Sequence, residues 1–294
     1  MSAAIFPETA KVPSAANCSA GCSFDRHRAS DGPHSVHQCR RCGHAVTLPA
    51  ISDVSTLYSD RDTQDYQGED GALVRNLKRI AFDRQARGIV RTLPASVRTA
   101  YDFGVGSGVL TAALARAMPG VRLTALDFFE TPPPALANLA RYRSFEDAAA
   151  LPQADLVTAF HVLEHDDDPV ALLERMARLC RPGGALIVEV PNADTVGADL
   201  FGRHWDNWYL PYHRVHFSET SLRRTVAAAG LQVTSLRGVS VPSVGRSLAR
   251  LAGRPNGAAF VLAGAALHPI QRAAEVLTGR PTALRATLLK PAAG

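Results

Sequence analysis

Tyr101-Asp102-Phe103-Gly104-Val105-Gly106-Ser107-Gly108-Val109-Leu110 is the stretch whose reading decides the fold. Residues 97–101 read as a strand and residues 110–118 as a helix, so a strand turns through closely spaced glycines into a helix. Glycine admits positive φ and lets a ligand approach the backbone closely. The helix N-terminus then offers unpaired N–H groups to that ligand. A nucleotide-binding α/β fold is the expectation.

Spacing narrows the class. A dinucleotide fingerprint is G-x-G-x-x-G followed about 20 residues later by an acidic residue. Here Val109 stands where the last glycine of that fingerprint would be. The acidic residue is present, because residues 121–126 read as a second strand ending in Asp127. Asp102-x-Gly104-x-Gly106-x-Gly108, with Asp127, resembles the first motif and ribose carboxylate of class I S-adenosylmethionine-dependent methyltransferases. The resemblance implies a doubly wound, seven-stranded, mostly parallel sheet. It also implies that Asp102, Gly104, Gly106, Gly108 and Asp127 bind the cofactor.

Phe128 follows the ribose carboxylate and either lies on the adenine or packs in the core. Three prolines, Pro132 to Pro134, open a helix expected over residues 135–142. Asp147 precedes Leu151-Pro152 by the interval at which the family places an acceptor for the adenine amino group, although Glu146 is adjacent.

Residues 155–161 read as the next strand, and His161-Val162-Leu163-Glu164-His165 at its end resembles the family strongly. Ligands in doubly wound sheets bind outside the carboxyl ends of strands where the order reverses. His161 is therefore expected to offer its backbone beside the methionine part of the cofactor. His165 is either a catalytic residue or, with Glu164, an orienter of the loop. Asp168-Pro169 reads as an N-cap and first helical position. Cys180 reads as a buried apolar residue.

After an apolar strand at residues 185–190, a loop gathers Trp205, Trp208, Tyr209, Tyr212, His213 and His216. His213 aligns with the family's main histidine, expected to orient or deprotonate the methyl acceptor. Ser218 caps a helix over residues 219–229. Residues 231–236 and 283–290 read as strands, the last placed antiparallel between the fifth and sixth by the family. Between them, residues 241–279 read as two helices that either form a lid, meet a second subunit or lie on a membrane surface.

Four cysteines form a second feature, Cys18-x3-Cys22 and Cys39-x2-Cys42-Gly43. Two close pairs suit a structural Zn²⁺ site held by Cys18, Cys22, Cys39 and Cys42. The alternative is a pair of disulfides, which a reducing cytosol disfavours. His44 beside the knuckle is expected at the surface. Small zinc ribbons precede the methyltransferase domain in bacterial enzymes that include deoxysugar C-methyltransferases, and Thr47-Leu48-Pro49, Leu57-Tyr58 and Tyr66 look similar to their sequences. Those enzymes carry a further large C-terminal domain, which this chain is not expected to hold, so their substrates and catalytic residues are not transferred.

The division expected is a ribbon at residues 1–50, a polar linker at 51–71 and the methyltransferase domain at 72–294, with an apolar helical face at 73–93 closing over the cofactor or packing on the sheet. The net charge of +5, on 294 residues, is concentrated beyond Val241, where six arginines and Lys290 face one acid, Glu275. The remaining body carries no broad basic field, which argues against a nucleic-acid substrate. No signal peptide or spanning segment is visible, and a cytoplasmic protein is expected. The expected function is methylation of a small molecule, such as a sugar or secondary metabolite. The rivals are an NAD-dependent oxidoreductase and a non-catalytic ribbon protein on a methyltransferase scaffold.

Overall fold

The computed structural model describes residues 22–51, 72–129 and 131–291. Cys18, Leu57, Tyr58, Tyr66 and the linker at 52–71 lie outside them. The chain forms β1 (Arg26–Asp31), β2 (His34–Gln38), β3 (Ala45–Leu48), α1 (Ala72–Val90), β4 (Thr99–Phe103), α2 (Val109–Ala117) and β5 (Arg122–Asp127). There follow β6 (Arg141–Ser144), β7 (Ala154–Phe160), α3 (Pro169–Leu179), β8 (Cys180–Pro191), α4 (Val196–Phe201) and β9 (Val215–His216). The last elements are α5 (Glu219–Ala228), β10 (Gln232–Val239), α6 (Val244–Leu251), α7 (Ala258–Thr278) and β11 (Ala283–Leu289).

Seven strands form one sheet in the order β10-β11-β8-β7-β4-β5-β6. β4 pairs in parallel with β5 on one side and β7 on the other. The strand order therefore reverses at β4, which opens a crevice at the carboxyl ends of β4 and β7. β11 lies antiparallel between β8 and β10, as expected.

Alternation along the strands divides the core between two faces. Ala100, Leu123, Leu156 and Ile187 pack with Ala86 and Ile89 of α1 and Leu114 of α2. Tyr101, Val157, Leu186 and Val188 pack with Leu172 and Met176 of α3 and Leu222 and Val226 of α5. α3 and α5 start where their caps predict. Asp168 accepts from Ala171 N–H at 3.0 Å ahead of Pro169, and Ser218 forms a capping box with Ser221.

One expected element is wrong. Residues 135–142 do not form a helix: a 3-10 turn over Pro134–Leu136 gives way to the edge strand β6, paired in parallel with β5. Asn138 at φ 60° turns the chain out of the helical path, and the free edge of β5 then captures it.

A second sheet, in the order β1-β2-β3-β9, holds the cysteine knuckle. Its fourth strand comes from the loop after β8: Ala45 pairs with His216 and Val46 with Val215. His44 is buried, not exposed, because its ring packs against Phe24 and Phe217 on this join, and burial lowers its pKa to about 4. α6 and α7 pack together at Gly245 and Gly264, where a Cβ on Gly245 would lie 3.0 Å from the Gly264 Cα. α6 is tied down by Arg246 and Arg250, both on Asp206. Among the described residues, no helix is long and apolar enough to cross a membrane.

Candidate active site

A cleft of about 640 Å³ opens at the crevice between β4 and β7. Its floor is the glycine turn. Gly104 (φ 74°) and Gly106 (φ 51°) both line it in the left-handed region that favours glycine. The reasons differ. A Cβ on Gly104 would sit 2.6 Å from Val162 Cγ2, whereas one on Gly106 meets nothing within 4 Å. Gly106 thus leaves open space on the cleft side. Gly108 (φ 70°) does not line the cleft; it caps α2 against Pro133 and Leu136.

Asp127 faces this turn from the end of β5. One carboxylate oxygen accepts from Gly106 N–H at 2.9 Å and the other from Phe128 N–H at 2.8 Å. Burial raises its pKa to about 6 against the pull of those N–H donors. Phe128 lines the cleft, and its ring lies 4.0 Å from that of Phe129. Phe145 forms a neighbouring wall, stacked on Phe103 with centroids 4.2 Å apart. Phe82 and Gln85 of α1 also reach the cleft, while Ala86 and Ile89 of the same helix pack on the sheet.

Besides Gly108, two further expected cofactor contacts stand off the cleft. Asp102 is 3% exposed and accepts from Thr111 Oγ1 at 2.6 Å and Thr158 Oγ1 at 2.7 Å. It fastens the end of β4 to α2 and β7 beneath the turn. Burial raises its pKa, likewise to about 6. Asp147 is exposed at the start of a 3-10 turn, two residues beyond the lining Phe145.

The far wall carries the histidines. His161 takes φ 57°, and its N–H donates to the Glu189 carbonyl at 2.8 Å. Its imidazole also enters the site, clamped between Glu164 (Nδ1–Oε1 3.2 Å) and Glu189 (Nε2–Oε1 3.3 Å). Burial would lower the His161 pKa, but the two carboxylates outweigh it and hold the ring protonated well above the usual imidazole range. Burial would raise both carboxyls, yet His161, joined at Glu189 by Arg285, keeps them below the usual carboxylate range. Glu189 and Arg285 were missed from the sequence. The signal was there: Glu189 is an acid inside the apolar strand residues Ala185 to Val190.

His213 is buried in the loop before β9 and reaches the cleft beside His165, with ring centroids 4.8 Å apart. Its Nδ1 donates to the Asn207 carbonyl at 2.9 Å, which leaves Nε2 as the unprotonated nitrogen of the neutral ring. That Nε2 lies 3.8 Å from Glu164 Oε1. Burial lowers the His213 pKa, opposed by the Glu164 charge and the Asn207 bond. His165 Nδ1 donates to the Tyr212 carbonyl at 3.1 Å. The ligating atoms of Glu164, His165 and His213 lie within 4.8 Å of one another, a set able to hold a divalent cation. Asp206, Arg246 and Val241 complete the wall, so the segment at 241–279 borders the cleft.

Away from the cleft, the described knuckle cysteines Cys22, Cys39 and Cys42 bring their sulfurs within 4.8 Å of one another. Burial would raise the Cys39 thiol, but backbone N–H groups of Cys42, Ser23 and Arg41 point at it and bring it down to about 6. Gly43 (φ 71°) makes the knuckle turn. Three convergent sulfurs, one held toward the thiolate, fit a Zn²⁺ ion. Cys180 is buried with its thiol pushed up to about 11, and it is inert.

A methyltransferase-domain profile matches residues 70–236. A ubiquinone biosynthesis O-methyltransferase of Xanthomonas axonopodis pv. citri (strain 306) is 31% identical over 190 residues, 56% of this chain and 74% of that protein. One of the same name from Aeromonas salmonicida (strain A449) is 28% identical over 159 residues, 47% of this chain and 64% of that one. Among solved structures, coclaurine N-methyltransferase bound to N-methylheliamine and SAH superposes with a TM-score of 0.47 at 16% identity, covering 71% of this chain and 72% of that one. None of these matches supports the nicotinamide or scaffold readings.

Proposed function

The chain belongs to the methyltransferase-domain family and is a class I S-adenosylmethionine-dependent enzyme, and from that premise we propose that it methylates a hydroxyl group of a small molecule, with His213 accepting the proton. The observation that carries this reading is the neutral His213 imidazole, its Nδ1 proton committed to Asn207, in the same cleft as the glycine turn and Asp127. The O-methyltransferase names of the relatives agree with an oxygen acceptor.

When bound, S-adenosylmethionine supplies an electrophilic methyl group and leaves as the neutral thioether. Asp127 would accept from the ribose hydroxyls, Gly104 and Gly106 would let the ligand lie against the backbone, and Phe128 would flank the adenine. His161, fixed by Glu164 and Glu189, offers its backbone beside the amino-acid end. His213 Nε2 takes the hydroxyl proton as the acceptor oxygen gains the methyl. Glu164 stabilises the imidazolium that results. His165 walls the acceptor side. Holding the oxygen in line can contribute about 7–11 kcal/mol of the barrier, more than the proton transfer. The thiols of Cys22, Cys39 and Cys42 would hold a structural zinc, with Cys18, outside the described residues, proposed as the fourth ligand.

Transfer of labelled methyl from S-adenosylmethionine to a panel of phenols and alcohols tests the acceptor. At least one is expected to be methylated, and His213→Gln is expected to lose about 10²–10⁴-fold in kcat with S-adenosylhomocysteine affinity unchanged. Full turnover in that variant would remove His213 from the chemistry.

A further inference from the structure

We propose that Thr47, on the N-terminal sheet, is a positioning residue for His213, so that this sheet is a working part of the acceptor wall. The inference rests on the reading of His213 as the acceptor's base. Thr47 is 2% exposed on β3. Its Oγ1 donates to the His213 carbonyl at 2.6 Å and lies 3.0 Å from His216 Nε2. A hydroxyl has one proton to give, so with that proton on His213 it accepts from His216 Nε2–H. Burial keeps His216 well below the usual imidazole range and therefore neutral, which fits one Nε2 proton.

The backbone adds a second hold, because Thr47 N–H donates to the Arg214 carbonyl at 2.9 Å. On the other side, His213 N–H donates to the Tyr209 carbonyl at 3.1 Å and Nδ1 to Asn207. Every polar atom of His213 but Nε2 is thus committed within the protein. The N-terminal sheet supplies the bond at its carbonyl. Ser218, just after His216 and Phe217, donates in turn to the Cys42 carbonyl, so the knuckle grips the far end of the same segment.

The test uses the full chain labelled with ¹⁵N on histidine, with the His213 signal assigned by its loss in His213→Gln. Wild type is expected to show His213 as a single neutral Nδ1–H tautomer. Thr47→Val keeps the backbone pairing and removes the hydroxyl; it is expected to lose that single-tautomer signature, and Thr47→Ser to restore it. If Thr47→Val does not fold, Thr47→Cys, a weak donor of similar shape, is measured with the same two outcomes. A His213 signature unchanged in the hydroxyl-less variant, with melting temperature alone lowered, would overturn the proposal. S-adenosylhomocysteine affinity, measured in parallel by calorimetry, is expected to stay within twofold across the series. Its absence in wild type would defeat the cofactor reading and leave the Thr47 result to stand separately.

Discussion

Asp127 carries opposite pH dependences for folding and for ligand binding. Its folded pKa of about 6 lies above the value of 3.8 for a free carboxyl. The folded state therefore holds the proton more tightly, and this group's contribution to stability falls as pH rises from about 4 to 6. On the proposed reading, in which ribose hydroxyls donate to the ionised form, ligand binding runs the other way. S-adenosylhomocysteine affinity is expected to be flat above pH 7 and to weaken by up to tenfold per unit below about pH 6. Asp127→Asn is expected to bind about ten- to a hundredfold more weakly and to flatten that profile, as calorimetry over pH 5–8 would read. Asp102 titrates in the same range but faces Thr111 and Thr158, so an unflattened profile in Asp127→Asn would move the effect elsewhere. Asp127 was legible because a strand's end fixes which way its last side chain points. The place of Asp102 beneath the turn was not legible, because the motif does not tell its side chain, bonded to Thr111 and Thr158, from the cleft-lining Gly104 beside it.

The glycine turn shows how one short element divides its duties. Gly104 is closed by Val162, whereas Gly106 is open. Gly106→Ala is expected to cost about 1–2 kcal/mol for its left-handed backbone, and to weaken S-adenosylhomocysteine binding by more than its stability loss would suggest. Gly104→Ala is expected to destabilise further, since its Cβ overlaps Val162 as well as straining φ. Urea denaturation beside calorimetry separates the two; equal losses of stability and affinity in both variants would contradict the division. The knuckle is a second such element. The full chain is expected to bind one zinc, and chelation to remove amide protection from β1, β2 and β3 while β7 and β8 stay protected. Unchanged protection in β1–β3 by hydrogen exchange would show that the thiols need no metal. β8, covered on both faces, announced itself by the apolar run of residues 185–190. β6 did not, because Arg141-Tyr142-Arg143-Ser144 is polar and gains strand geometry by pairing with β5.

At the scale of the molecule, the family resemblance implied the class of the large sheet and the antiparallel place of its last strand, but the sequence showed neither β6 nor how the two sheets join. β9 is two residues long, and no local pattern marks Val215 and His216 as partners for Val46 and Ala45. The join is a property of the assembled chain. It joins the knuckle and the buried His44 to the loop that carries His213 into the cleft. On the proposed reading, the cleft's two parts have separate supports, the parallel sheet for the cofactor and the N-terminal sheet with the loop for the acceptor. The pairing of Arg246 and Arg250 with Asp206 adds the helical segment as a third support at the mouth. This account stands on the crevice between β4 and β7 holding S-adenosylmethionine. Calorimetric titration of the full chain with S-adenosylhomocysteine, and separately with NAD, tests it most directly. Saturable one-to-one binding of S-adenosylhomocysteine with no heat from NAD is predicted, and saturable binding of NAD without S-adenosylhomocysteine would contradict it.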